Sequence, residues 1–451
     1  MTARALTAPT LTDHVRIHVA ELVRLAAPVI VSRVGLMVMM AVDAAIVGRY
    51  GARELAYYGL GHLPASFMVQ TGVGLLLGTV AMTAQAVGAG RPEECGKVLR
   101  RSLPYALLIG LIMAVLALFG QPLFLATGQA PDMAERGAAV LAVLGAGLPA
   151  MALYVALGFF LEGLKRPVPG MLVMIAGNIV NAGLAWALVW GWGPVPAMGA
   201  VGSAWATTAV RWFMAIALLL YVWNLRDRER WNVRGGFGGW WREGGAQRRF
   251  GYAAGLSLAV ESLAFGGLGL IAGLIDPMAV AAYTVTLNLI ALPFMAAVGV
   301  ASATAVRVAV GYGRRDSAEM ALAGWTGLGV TSAFLALVGV AYALFPAPIA
   351  GIYSADPALI ERVAPLVAFS ALVLVADGGQ TVMGNALRGR NDSWVPTALH
   401  FVSYAVVMIP VSAYLALGLE RGERGLVEGI LVASLVSVTI LAGRFAWLCR
   451  R

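Results

Sequence analysis

Three acidic side chains stand inside long apolar runs of this sequence. Asp43 lies in VMMAVDAAIVG, Glu261 in LSLAVESLAFG and Asp377 in VADGGQTVMGNALRG. Gln380 and Thr381 follow Asp377 at three- and four-residue spacings, which puts them on its helical face. A carboxylate in such a setting can bind Na⁺ with amide and carbonyl oxygens, or hold a proton because loss of water disfavours its charge. Either chemistry couples an ion to a movement. Glu261 and Asp377, aided by Gln380 and Asn288, form the candidate ion-coupling set, and the two acids are the candidate Na⁺ ligands. Asp43, Asn178 and Asn181 form a second polar group, for substrate or a further ion. Met37, Met40 and Phe67 could line a soft apolar pocket suited to varied ligands.

Each of these has a purely structural alternative. The acids could neutralise Arg33, Arg211 or Arg307, and the asparagines could bond neighbouring helices. The methionines could pack against lipid, and Arg33 and His62 could pair within one half of the chain. The two glycines beside Asp377 would let a neighbouring backbone approach, and Arg388 would mark the end of its span.

The elements that carry these residues follow from composition. Of 451 residues, 60% are hydrophobic and only 12% charged, with mean hydropathy +0.81. A soluble domain needs about a quarter of its residues charged, so the chain is expected to be an all-α polytopic membrane protein. Twelve apolar spans are predicted, at 26–48, 56–86, 102–126, 137–160, 168–192, 199–224, 251–275, 279–306, 320–346, 362–386, 394–417 and 426–447. Each is near or above the ~20 residues that cross a ~30 Å hydrocarbon core. The acids must then sit within the membrane, where an aspartate costs ~2.5–3.5 kcal/mol and usually faces a cavity.

The net charge of +9 is a topology signal rather than a nucleic-acid footprint. Even-numbered connections between spans carry 17 Lys and Arg residues against six in the odd-numbered ones. By the positive-inside rule both termini are cytoplasmic. Cys95 and Cys449 imply no disulfide framework, and no cleavable signal peptide is evident. Residues 13–24, DHVRIHVAELVR, could form a short helix on the inner membrane surface.

The polar segment at 225–250 divides the spans six and six. It separates an N-lobe at 26–224, preceded by a cytoplasmic segment at 1–25, from a C-lobe at 251–448. QPLFLATGQAPDMAERGAAVL (121–141) lies on APIAGIYSADPALIERVAPLV (347–367) without a gap, and LEGLKRPVP (161–169) on LRGRNDSWVP (387–396) with a one-residue slip. Halves with even numbers of spans enter the membrane the same way, so a pseudo-two-fold along its normal would relate two six-helix bundles.

Enzyme chemistry is not expected. His14, His18, His62 and His400 show no metal-ligand spacing, and GRPEECGKV (90–98) fails as a phosphate loop, with Val98 where Ser or Thr must hold magnesium. With no nucleotide site, uphill transport would draw on an ion gradient.

The motifs resemble the multidrug and toxic compound extrusion (MATE) transporters. The similar stretches are LAAPVIVSR (25–33), VDAAIVGRYGARELAYYGLG (42–61), TAQAVGAGRPEE (83–94), YTVTLNLIALPFMAAVGVASATAVRVAVGYGRRD (283–316), IYSADPALIERVAPLV (352–367) and ADGGQTVMGNALRGRNDSWVP (376–396). The resemblance implies two six-helix lobes in a V and a monomer in the bacterial inner membrane. It also implies alternating access that expels cationic or amphipathic compounds in exchange for Na⁺ or H⁺, with no cofactor. In the NorM-type branch the coupling acids lie in helices 7 and 10, and Glu261 and Asp377 match those positions; Asp43 matches the acid of helix 1. In the DinF-type branch an Asn and an Asp in helix 5 help bind the ion. Asn181 fits the first, but Ala185 stands at the second, which favours a C-lobe ion site. Rival readings are a flippase of lipid-linked precursors from the same superfamily, which would want a basic cavity, and an ion channel or membrane interaction protein.

Overall fold

The computed structural model describes residues 11–353 and 356–450, with side chains from His18 onward. Arg4, the side chains of His14 and Arg16, and Ser354 and Ala355 of the 352–367 stretch lie outside the described residues. We label the spanning helices α1 (Leu11–Tyr50), α2 (Ala52–Gly88), α3 (Pro92–Ala117), α4 (Pro131–Ala146 with Leu148–Gly163), α5 (Val168–Trp190) and α6 (Gly199–Trp223). The second half contributes α7 (Gly245–Ile275), α8 (Pro277–Arg314), α9 (Ser317–Leu344), α10 (Pro357–Gly389), α11 (Trp394–Gly418) and α12 (Gly422–Cys449).

Eleven of these helices are long and apolar enough to cross a membrane, and the two pieces of α4 make a twelfth span bent by 41°. The bend falls at Gly147, just before Pro149. Proline lacks an amide hydrogen and its ring crowds the carbonyl four residues back, so the ladder breaks there.

Three boundaries differ from the sequence expectation. Residues 13–24 continue into α1 as one 40-residue helix rather than forming a separate surface helix. The third span starts at Pro92 and ends at Ala117, leaving Gly120–Ala126 as a separate short helix. The inter-lobe linker is shorter than expected, because α7 begins at Gly245, just after the short helix Trp240–Glu243. The linker is docked: the Arg100 guanidinium donates to the carbonyls of Gly236, at 2.9 Å, and Asn232. Arg166 grips Asp227 with two bonds of 3.0 and 2.8 Å, which hold the Asp227 carboxyl below the usual carboxylate range.

The N-lobe packs around Leu157, Phe159, Phe160, Val210 and Met214, the C-lobe around Leu268, Tyr283, Leu366, Tyr404 and Ile430. The lobes meet chiefly through α1, α2, α7 and α8. Gly74 of α2 sits on the backbone of Gly255 in α7, and Gly88 on Val310 of α8. Only a residue without a Cβ admits so close an approach. Hydrogen bonds add to this seam: Gln247 Nε2 donates to Ser102 Oγ at 2.6 Å, Gln85 Nε2 to the Gly389 carbonyl at 3.1 Å, and Ser302 Oγ to Glu162 Oε2 at 2.7 Å. Most of these contacts lie toward the ends of α2 and α8 and the start of α7, where the basic connections are, with Gly74 on Gly255 the deepest. The V is closed at its basic end.

Candidate functional site

Asp377 is set in place by α10. The helix starts where Asp356 caps it, accepting the Ala358 amide at 3.0 Å, with Pro357 in its first turn. Three turns before its end, Asp377 turns into the C-lobe, only 4% exposed. Its Oδ1 accepts from Gln380 Nε2 at 2.5 Å and from Ser434 Oγ of α12 at 3.2 Å. Gln380 Nε2 also donates to the Tyr404 hydroxyl at 2.6 Å. Gly378 and Gly379 do not admit a backbone, as the sequence suggested. They admit side chains, Leu335 and Thr331 against one and Val438 and Leu328 against the other.

Tyr404 belongs to a π-helical turn, Val402–Met408, inside α11. Pro410 explains it: its ring collides with the carbonyl of Val406, and the helix widens to escape. Tyr404 packs edge-on against His400, at 5.7 Å between ring centroids. His400 Nδ1 lies 2.6 Å from Ser257 Oγ of α7, which also accepts from the Arg388 guanidinium at 2.9 Å. Glu261, partly exposed on α7, has Asp377, Arg388 and Tyr404 as its electrostatic neighbours.

Two corrections follow. Arg388 stands in the last turn of α10, as expected, but it faces inward: it is 5% exposed and buried inside the lobe. Asn288 does not join Asp377 and Glu261. It is exposed and donates along its own helix to the Thr284 carbonyl at 2.9 Å. Tyr404, His400, Ser257 and Ser434 were not singled out from sequence. Tyr404 carried a faint signal, a tyrosine mid-span six residues before a proline, since a buried Tyr hydroxyl seeks a partner.

In the N-lobe the structure brings Asp43 and Asn181 together. Asp43, 1% exposed, accepts from Asn181 Nδ2 at 2.6 Å and from Thr207 Oγ1 of α6 at 2.7 Å, one on each oxygen. Arg211 lies within electrostatic reach. Ala185 is fully buried, so no acid stands near in its place on α5. Asn178 bonds only the Met174 carbonyl of its own helix, at 3.0 Å. Met40 and Phe67 are exposed and Met37 half-buried, whereas Asp43 is buried. Arg33 and His62 do not pair. Arg33 lies 3.9 Å from Glu162 and over the Phe159 ring, whereas His62 stacks on Tyr58. Arg307 meets Glu21 and His18.

The C-lobe donor set is wholly oxygen on the acid side: two carboxylates, the Tyr404 and Ser434 hydroxyls, and Gln380 Oε1, which is buried without a hydrogen-bond partner. Such donors suit a hard cation. The same carboxylates can accept a proton.

The MatE family profile matches residues 28–187 and 253–414, once in each lobe. The chain belongs to the MatE family. It is 43% identical over 449 residues to a probable multidrug resistance protein NorM of Caulobacter vibrioides, covering 98% of this chain and 93% of that one. It is 32% identical to the multidrug resistance protein PmpM of Pseudomonas aeruginosa, covering 97% and 93%. MatE membership of the NorM type agrees with the fold: the crystal structure of the eukaryotic MATE transporter AtDTX14 superposes with a TM-score of 0.89 at 20% identity, covering 97% of this chain and 98% of that one.

Proposed function

We propose that the protein is a secondary active exporter of cationic and amphipathic organic compounds, working as a monomer in exchange for Na⁺ or H⁺. The NorM and PmpM relatives, named as multidrug resistance proteins, support the substrate class. The observation that carries the coupling is the pair of neighbouring acids in the C-lobe, Glu261 and Asp377, of which Glu261 has the cation Arg388 beside it. A buried surplus charge is costly until a positive ion meets it. The ion enters from outside, binds Glu261 and Asp377, and stabilises the state that releases drug. Drug binding rests on apolar and aromatic surface such as Met37, Met40 and Phe67, with the acids adding attraction for a cation.

By the positive-inside rule the basic, closed end of the V is cytoplasmic, in the bacterial inner membrane. The seam formed by Gly74, Gly88, Gln85 and Ser302 then seals the cytoplasmic side, and the open side is the release side. Alternating access requires this seam to part. The balanced pairing of Arg33 with Glu162 favours the exporter over a flippase, which would need uncompensated basic side chains.

Ethidium efflux from proteoliposomes under separately imposed Na⁺ and pH gradients tests the reading. Efflux driven by one of the two gradients, and lost in Glu261→Gln and Asp377→Asn, is expected. Efflux at wild-type rate in both variants would overturn it.

A further inference from the structure

A cavity of about 600 Å³ opens at the basic end of the N-lobe, between α1, α5 and α6. Its mouth carries Arg24, Lys165 and Arg166; its walls include Leu172, Ala217 and Tyr221. We propose that it binds one anionic phospholipid of the leaflet at the basic end.

The order of chemistry along the cavity carries the proposal. α5 starts at Val168 and runs away from the basic end, so Leu172, one turn further, lies deeper. α6 runs the opposite way, so Ala217 lies deeper than Tyr221. The cavity is therefore cationic at its mouth, carries the Tyr221 ring next, and becomes apolar with depth. Leu172 is 57% exposed and Tyr221 44%, so an apolar surface is uncovered where hydrocarbon would meet it. This is the polarity profile of an amphiphile with an anionic head and acyl chains, and interhelical basic pockets on the cytoplasmic side suit such headgroups.

The mouth keeps donors to spare. Lys165 uses one bond for Glu21, at 2.6 Å, and an ammonium has three donors. Arg166 spends two on Asp227 and retains others. Arg24 has no hydrogen-bond or ion-pair partner among the described residues, which leaves it as the uncompensated cation at the mouth. A free phosphate would use these donors but leave the apolar walls bare, and a zwitterionic lipid would bring its own cation to Arg24.

Native mass spectrometry of the detergent-purified full chain, titrated with phosphatidylglycerol or phosphatidylcholine, tests this. The wild type is expected to retain phosphatidylglycerol at least several-fold better. Arg24→Gln should erase most of that preference, and Ala217→Trp, which fills the cavity, should lower binding of phosphatidylglycerol without altering the elution profile of the protein. Equal retention of the two lipids would overturn the proposal. So would a preference for phosphatidylglycerol unchanged in both variants, which would place the lipid elsewhere. Displacement of phosphatidylglycerol by inorganic phosphate at equal concentration would also overturn it, because the site would then read the anion alone.

Discussion

In the N-lobe, Asp43 receives Asn181 and Thr207 on separate oxygens and has Arg211 close by, one charge facing one countercharge. In the C-lobe, Asp377 takes both its bonds on one oxygen, and Glu261 has Asp377 as a like-charged neighbour and Arg388 as a countercharge. The halves share a sequence pattern, yet they place their charges differently. In the alignment of LEGLKRPVP with LRGRNDSWVP, Glu162 falls on Arg388. Glu162 meets Arg33 of α1, and Arg388 neighbours Glu261 of α7. Acid and base have changed places between the lobes. A balanced buried acid holds helices together; an unbalanced one invites an ion.

That contrast can be broken experimentally. Removing that cation should do most damage: Arg388→Gln leaves Glu261 uncompensated beside Asp377 and should cost about 3–5 kcal/mol of stability. Thermal unfolding should show it, with partial recovery in the Glu261→Gln/Arg388→Gln double variant; additive losses would mean that the two residues do not interact. Next, Asp377→Asn or Glu261→Gln should lower ion-driven ethidium efflux roughly a hundredfold, within the usual range of coupling energies. A loss confined to drug affinity, with the ion response intact, would move the coupling site elsewhere.

The N-lobe acid should behave otherwise. Asp43→Asn keeps one acceptor oxygen but loses the charge-assisted bonds, and should cost about 1.5 kcal/mol in unfolding experiments. Its ion response should stay close to that of the wild type, and collapse of coupling would erase the distinction between the lobes. The smallest effect is expected from Asn288→Ala, an exposed side chain bonded only to its own helix. A change in efflux beyond roughly twofold would return Asn288 to the ion site.

Much of the fold was legible in the sequence because lipid leaves few options. A chain that must satisfy its backbone internally forms helices, and runs of apolar residues mark their extent. Twelve spans, their division into two similar halves, and the acids that stand out against an apolar background follow from residue types alone. The helix ends were read less well, since α1, α3 and α7 continue past their apolar stretches into polar sequence. Partners were read worst. Asn181 and Thr207 reach Asp43 from 138 and 164 residues away, and no local spacing encodes that meeting.

Arg388 separates the two kinds of information. Near the end of an apolar run it reads as a charge left on the cytoplasmic side, which is the ordinary meaning of arginine there. Tertiary packing instead turns it inward, onto Ser257 and toward Glu261. Sequence determined that a cation stands at that height, because residue type and distance along a helix fix depth. Which way it faces was decided by the neighbouring helices, because only they supply the acid and the buried hydroxyl that stabilise an inward charge.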